Sequence, residues 1–223
     1  MEQINKFNVL KKKEGKYYKY YTQSIYPGFK GFSEKIIKQK GLEFREVDPK
    51  RSKLIAAIAK GLSQTGIKPD SKVLYLGASH GYTPSFVSDI VGKKGVVFCL
   101  DFAPTVVRDL IFVCEQRENM IPLLKDAKKP ETYKENILPV DVIFQDVAQR
   151  DQVQIFLKNI KEHLKQGGFG LLALKSRSID VTKKPTEIFN QVRQELQKHT
   201  TIVDQRTLEP FEKDHAFFVI KKK

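Results

Sequence analysis

The chain is predicted to be an α/β protein. Its main part should be a doubly wound, mostly parallel seven-stranded sheet with a terminal antiparallel hairpin, preceded by a small N-terminal antiparallel β domain. Three observations carry that prediction. Residues 72–102 read as strand, glycine turn, helix, strand. Beyond them, short apolar runs keep alternating with helix-period stretches. The first 50 residues break that rhythm with short aromatic segments and frequent glycines.

Phe7 to Leu10, Lys16 to Thr22 and Leu42 to Val47 are the candidate strands of the small domain, taken as residues 1–50. Glycines at 15, 28, 31 and 41 and Pro27 separate them. The run KYYKYYT puts tyrosines on both faces of its strand, so one face should be covered by another part of the protein. Aromatics interleaved with lysines suit base stacking on RNA, and they suit a protein interface or plain core equally.

Residues 51–223 form the second unit. Pro49 is expected to open a helix reaching Leu62, with Leu54, Ile55, Ile58 and Leu62 on its apolar side. Arg51 and Lys53 then fall in its first turn, where the helix dipole disfavours cations, which suggests another task for both.

Val73 to Leu76 is a continuous apolar run, as in a strand buried on both faces. Gly77-Ala78-Ser79-His80-Gly81 turns the chain into a helix carrying Pro84 and the stripe Phe86, Val87, Ile90, Val91. Gly92 to Gly95 ends that helix, and Val96 to Leu100 is a second strand, ending on Asp101. A carboxylate roughly 20 residues past such glycines is placed to accept hydrogen bonds from a ribose diol. The turn has neither the third glycine of a dinucleotide fingerprint nor a P-loop. An adenosine cofactor without phosphates, such as S-adenosylmethionine, suits it; a tight turn with no ligand is the other reading.

Further along, Val106 to Gln116 reads as helix, Met120 to Leu124 as strand and Val140 to Phe144 as strand. Gln152 to Lys165 reads as a helix stopped by Gly167-Gly168, followed by a strand from Phe169 to Leu174. A long helix from Thr186 to His199 and two strands, Ile202 to Leu208 and His215 to Ile220, close the chain. Asp101, Asp126, Asp146 and Lys175 each lie just past a predicted parallel strand, at the edge where open α/β sheets bind ligands.

Composition narrows the classes. Forty Lys and Arg against 26 Asp and Glu give a formal charge of +14 over 223 residues. That excess is spread along the chain and favours a polyanionic partner. No apolar run approaches the roughly 20 residues of a membrane span, and the start of the chain lacks a signal-peptide core. Cys99 and Cys114 read as small buried hydrophobes, and no metal-ligand spacing occurs. A cytosolic or nuclear protein is expected.

Six stretches carry a family resemblance: RSKLIAAI (51–58), VLYLGASHGYTPSFVSDIVG (73–92), RDLI (108–111), DVIFQDVAQ (141–149), GGFGLLALK (167–175) and TLEPFEKDHAFFV (207–219). In them the chain resembles fibrillarin, in particular the archaeal fibrillarin-like rRNA/tRNA 2′-O-methyltransferases. The resemblance implies a Rossmann-like S-adenosylmethionine-dependent methyltransferase fold. It also implies S-adenosyl-L-methionine as cofactor and a ribose 2′-hydroxyl in rRNA or tRNA as acceptor. The implied partners are a C/D-box guide RNA with its target RNA, a Nop-type scaffold protein and a kink-turn-binding protein of the ribosomal L7 type. The implied place is cytoplasmic if archaeal and nucleolar if eukaryotic.

Carried onto this sequence, the resemblance puts the cofactor against Gly77, Ala78, Gly81, Tyr82 and Thr83 of the turn, and against Asp101 and Phe102. It puts Asp126 and Ala127 beside the adenine, and Asp146, Val147, Ala148 and Gln149 beside the methionine end. The family's Lys-Asp-Lys-His reaction centre falls on Lys53, Asp146, Lys175 and His215. Departures from the family pattern are Tyr82-Thr83 in place of paired threonines, His80 for a serine, Asp101 for a glutamate and Val47-Asp48 for an aromatic-Asn pair.

A ribose hydroxyl is a poor nucleophile, so such a reaction needs in-line positioning and help in losing a proton. The implied roles are stabilisation of developing negative charge by Lys53 and Lys175, and orientation of the hydroxyl by Asp146, with the base left open between the groups present. Two rivals remain at this point: a catalytically inert RNA-binding scaffold on a methyltransferase fold, and a small-molecule O-methyltransferase.

Overall fold

A computed structural model describes residues 2–4, 7–29 and 31–223. Residues 1, 5, 6 and 30, which belong to the expected N-terminal domain, lie outside the described residues.

Among the described residues the first unit is a five-stranded antiparallel sheet. Its strands are β1 (Glu2–Ile4), β2 (Val9–Glu14), β3 (Tyr17–Gln23), β4 (Ile36–Gln39) and β5 (Leu42–Val47), in the order β1-β2-β3-β5-β4. The sequence reading lacked β1 and β4, which are three and four residues long and too short to show a period.

The second unit starts with α1 (Lys53–Ala59), and the expected start at Pro49 is corrected. The Asp48 carboxylate accepts the Lys50 N–H at 2.8 Å, and the Asp48 carbonyl accepts Arg51 and Ser52 N–H groups at 3.0 and 3.1 Å. That local turn competes with helix until Ser52. Arg51 therefore lies outside the helix, and only Lys53 stands at the dipole's positive end. The helix also ends earlier than Leu62, because Gly61 adopts φ +79°.

There follow β6 (Lys72–Leu76), α2 (Tyr82–Val91), β7 (Val96–Asp101), α3 (Pro104–Glu115) and β8 (Met120–Leu124). Short 3-10 turns over Pro130–Asn136 lead into β9 (Val140–Gln145), α4 (Gln152–His163) and β10 (Leu164–Lys175). The chain closes with α5 (Ser176–Ile179), α6 (Pro185–His199), β11 (Thr200–Thr207) and β12 (His215–Lys222). Gly167-Gly168 does not stop a helix as expected. Leu164 is already extended and pairs with Val140, and the glycines sit in a bulge between that pair and Phe169↔Val142.

The sheet order is β11-β12-β10-β9-β6-β7-β8. Strands β10, β9, β6, β7 and β8 run parallel, while β12 is antiparallel to both β10 and β11. The apolar runs are buried on both faces. Val73 and Tyr75 point into a core shared with α1, α2 and α3, while Leu74 and Leu76 point into a core shared with α4 and α6. The chain steps from β6 through β7 to β8, then returns to lay β9 on the other side of β6. The switch point is thus the crevice above β6 and β9, where open α/β sheets bind ligands.

The first sheet joins the second unit through apolar and ionic contacts. Phe7, Val9, Tyr20, Phe29 and Val47 belong to the α1–α3 core. Arg45 of β5, fully buried, pairs with Asp89 of α2 at 2.8 Å and with Glu34 at 2.6 Å. Arg117 pairs with the other Asp89 oxygen, and Thr22 donates to Asp89 at 2.8 Å. Two guanidiniums, Arg45 and Arg117, lie 4.7 and 4.9 Å from the Phe29 ring centroid. Among the described residues no helix is long and apolar enough to cross a membrane.

Candidate functional site

A cavity of about 340 Å³ opens at the switch point. It is lined by Gly77, Ser79, Leu100, Asp101, Phe102, Asp126, Ala127, Lys128, Asp146, Val147, Ala148, Gln149 and Ile155. Nine of the expected cofactor residues are therefore brought together, from the ends of β6, β7, β8 and β9. Gly77 is required there: at φ +81° a side-chain carbon would lie 2.4 Å from the Asp146 carbonyl oxygen.

The glycine turn spends four of its amides on backbone carbonyls and on Asp101. Gly77 and Ala78 N–H groups both donate to the Leu100 carbonyl, at 2.9 and 3.0 Å. Ser79 N–H donates to Asp101 Oδ2 at 2.9 Å, and Gly81 N–H to the Ala78 carbonyl at 3.0 Å. With these donors consumed internally, the amides of Gly77, Ala78, Ser79 and Gly81 are not available to a phosphate. Asp101 is held by two N–H donors, Ser79 on Oδ2 and Ala103 on Oδ1 at 3.2 Å, and it faces the cavity as an acceptor.

Four expected contacts fall outside the lining. Ala78 is buried, and Gly81 (φ +91°) faces Leu110 and Val113 of α3. The Tyr82 ring packs edge-on against Phe32 and Phe86, with centroids 5.4 and 5.1 Å away. Its hydroxyl accepts the Asp48 N–H at 3.2 Å, and the Arg51 guanidinium lies 4.1 Å from its ring centroid. Thr83 donates to Ser52 Oγ at 3.3 Å. Tyr82 and Thr83 thus brace the segment that leads into Lys53.

The four expected reaction-centre residues also converge on this end of the sheet. Lys53, the first residue of α1, places Nζ 2.9 Å from Asp146 Oδ2, with both side chains about one-fifth exposed. Lys175, the exposed last residue of β10, and His215, the buried first residue of β12, are direct register partners. Opposed residues of an antiparallel pair share a face, so their side chains emerge together. His215 Nδ1 lies 2.6 Å from the Lys213 carbonyl, which fixes Nδ1 as the protonated nitrogen and leaves the Nε2 lone pair open. Burial, opposed by that hydrogen bond and helped by the Lys53 charge, holds the His215 pKa below its usual 6.5. The ring is neutral at pH 7.

Sequence reasoning missed Ser79, Leu100, Lys128 and Ile155 in the lining. It also missed Gln152, whose fully buried side chain is not part of that lining but ties two parts of the site together. Gln152 Nε2 donates to the Gln149 carbonyl at 2.9 Å and to the Lys175 carbonyl at 3.1 Å. Its Oε1 accepts the Lys175 N–H at 3.2 Å, and its own carbonyl accepts Gln145 Nε2 at 2.6 Å. The loop bearing Asp146 is thereby fastened to the strand end bearing Lys175. The available signal was position: Gln152, Ile155, Phe156, Asn159, Ile160 and His163 form one buried stripe of α4, and a polar residue on such a stripe needs partners.

The cavity's charge is distinctive. Three carboxylates line it against one lysine, and Lys128 is itself paired with Asp151 at 3.0 Å. Acceptors and apolar walls suit a ribose, an adenine and a cationic group better than phosphates. Among the described residues no cluster suited to a metal ion is present.

The profile of the family described as Fibrillarin matches residues 2–223. The chain is 52% identical over 199 residues to a fibrillarin-like rRNA/tRNA 2′-O-methyltransferase from Methanocaldococcus jannaschii, covering 89% of this chain and 86% of the relative. A fibrillarin pre-rRNA processing protein of Methanococcus jannaschii superposes with TM-score 0.93 and 48% identity, over 96% of this chain and 94% of the other. Aeropyrum pernix fibrillarin, in complex with natively bound S-adenosyl-L-methionine, superposes with TM-score 0.88 and 38% identity over 96% and 94%. The fibrillarin of a fibrillarin/Nop5p complex does so with TM-score 0.87 and 35% identity over 97% and 98%.

Proposed function

Because the chain belongs to the fibrillarin family, we propose that it is the catalytic subunit of a C/D-box guide ribonucleoprotein. In that role it transfers the methyl of S-adenosylmethionine to ribose 2′-hydroxyls of rRNA and tRNA. Residues 1–50 serve as its small sheet domain and residues 51–223 as its methyltransferase domain. The observation that carries the reading is the meeting of the Lys53–Asp146 ion pair with the Lys175–His215 register pair beside the cavity.

The residues present fit the cofactor. Asp101 offers oxygens for the ribose diol, Ala127 and Phe102 offer apolar contact for the adenine, and Asp126 an acceptor beside it. The carboxylates of Asp101, Asp126 and Asp146 together favour a sulfonium cation. Bound there, S-adenosylmethionine supplies an activated methyl electrophile. What remains for the protein is to hold the acceptor in line and to stabilise the oxygen as it loses its proton. Lys53, fixed by Asp146, and Lys175 present two ammonium groups to that oxygen. The second Asp146 oxygen takes the hydroxyl's hydrogen bond and orients it. Neutral His215, with Nε2 open, backs Lys175 as a further acceptor.

Guide RNA pairing selects the nucleotide, a Nop-type scaffold docks the enzyme, and a kink-turn-binding protein of the ribosomal L7 type anchors the guide. The similarity to the fibrillarin of a Nop5p complex supports the scaffold.

Single-turnover methylation in the assembled complex tests the reading, at low and saturating S-adenosylmethionine. Lys175→Ala should lose most of its rate at both concentrations while keeping cofactor affinity. Asp101→Ala should lose affinity, by roughly 1.5–3 kcal/mol for hydrogen bonds to a charged group, and regain much of its rate at saturation. A cofactor-rescued Lys175→Ala enzyme would reverse the assignment.

A further inference from the structure

The core-facing side of the β2–β3 hairpin does not end where the core ends. In its register Lys11 opposes Tyr20 and Lys13 opposes Tyr18, so these four side chains share one face with Val9 and Thr22. Val9 and Thr22 are fully buried and Tyr20 is 8% exposed within the α1–α3 core, but Tyr18, two residues further out, is 47% exposed. Two residues of strand carry the stripe about 7 Å past Tyr20. Lys13 is exposed there, and Lys11 Nζ lies 5.2 Å from the Tyr18 ring centroid.

The two faces of the hairpin differ in charge. On the outer face Lys12 and Lys19 are neutralised by Glu14 at 3.4 and 3.5 Å, and Lys19 also by Glu46 at 2.9 Å. On the inner face Lys13 makes no ion pair among the described residues and is opposed by uncharged Tyr18, while Lys11 has Glu2 of β1 as its other register partner.

The stripe emerges at the end of the molecule that carries the reaction centre. Tyr20 pairs with Val47, the last residue of β5. The next residue, Asp48, is tied to Tyr82 at the start of α2, and five residues later Lys53 meets Asp146. Exposed Lys50 and Arg51 lie on the turn between them. The hairpin thus carries Lys13 and Tyr18 past the end of β5, on the side from which the chain continues through exposed Lys50 and Arg51 to Lys53.

We propose that this stripe, Lys13 and Tyr18 at its outer end and Arg51 at its inner end, is a second RNA-contact site. It holds the strand next to the target nucleotide by phosphate pairing and by stacking of an unpaired or terminal base on Tyr18. This rests on the RNA-methyltransferase reading above and adds to it where RNA is gripped outside the reaction centre. RNA is favoured over an acidic protein segment because an aromatic face set among lysines at strand spacing matches alternating bases and phosphates.

The test uses the assembled guide complex. Tyr18→Ala and Lys13→Ala should each raise the KM for target RNA, about tenfold for the lost stack, with the rate at saturating RNA and S-adenosylmethionine affinity unchanged. Lys13→Ala should also lower the slope of log affinity against log salt by about one. Lys12→Ala, on the neutralised outer face of the same hairpin, should behave as wild type. Unchanged RNA KM in Tyr18→Ala and Lys13→Ala, or equal loss in Lys12→Ala, would overturn the site. So would weakened scaffold binding at constant RNA affinity, which would make the stripe a protein interface. Failure of the wild-type complex to methylate would instead refute the function itself.

Discussion

Gln152 offers the sharpest check on how the proposed reaction centre is built, because it touches neither the cavity above β6 and β9 nor solvent. Replacing it by the near-isosteric leucine removes three hydrogen bonds: two from Nε2, to the Gln149 and Lys175 carbonyls, and one to Oε1 from the Lys175 N–H. Each such bond is worth about 1 kcal/mol net, and an orphaned buried group adds to the loss, so roughly 3 kcal/mol of stability should go. For a chain of this size that is a Tm drop of about 10 °C. A purely structural role would stop there. If Gln152 positions the site, the Asp146 loop and the Lys175 strand end also drift apart. Displacement near 1 Å costs about a hundredfold in rate.

The assay is single-turnover methylation in the assembled complex, at saturating RNA and cofactor and well below the variant's Tm. The rate should fall ten- to a hundredfold while the RNA KM moves little. Gln152→Glu supplies the second readout. Its ionised carboxylate would face two carbonyl oxygens, so burial and those acceptors should raise its pKa. Only the protonated acid can donate as the amide does. Relative to wild type, this variant should therefore recover as pH falls and lose rate and stability as pH rises through that pKa. A leucine variant with wild-type single-turnover rate, or a glutamate variant with no pH dependence relative to wild type, would refute the positioning role.

Asp89→Ala leaves Arg45 and Arg117 buried without their shared counter-ion, and breaking a buried pair costs about 3–5 kcal/mol; urea unfolding should show that loss, and a loss below about 1 kcal/mol would mean the guanidiniums are solvated. Acid should weaken the fold through His163 and His215, whose pKa values are held below the usual 6.5 chiefly by burial. The unfolded chain then takes up protons first, so their stabilising effect is complete above about pH 6.5 and is lost as pH falls through the folded values; denaturation midpoints between pH 8 and 5 should decline in that window, and less so in His163→Phe.

The sequence made the parallel strands legible because they are buried on both faces, so Val73–Leu76 and Val96–Leu100 show as unbroken apolar runs. It made the strand-end charges legible because Asp101, Asp146 and Lys175 follow such runs directly. Polar groups whose partners are distant in sequence were not legible. Arg45 sits in LEFREV like any edge cation, and nothing local says that it is fully buried against Asp89, 44 residues away. The Asp48 turn was misread because a proline after it looks like a helix start, while the Asp48 carboxylate had already taken the Lys50 amide. Helix α5, four residues long, has no period to read.

The small sheet is more than an appendage to the catalytic unit, and the chain path shows why. Lys53 follows β5 by only six residues, so the register of that strand sets where its ammonium can reach. Three contacts then fix the intervening turn against the start of α2: Asp48 to the Tyr82 hydroxyl, Arg51 over the Tyr82 ring, and Ser52 to Thr83. The Tyr82 ring lies outside the cavity, against Phe32 from the first unit and Phe86 from the second. An aromatic side chain at that position lets one residue hold the sheet, the turn and the glycine loop at once. With the five residues Leu54 to Ile58 of α1 also fully packed, Lys53 meets Asp146 from a backbone that has little freedom to move. The geometry of the proposed methyl acceptor site is thereby set partly by residues that precede the methyltransferase sheet altogether.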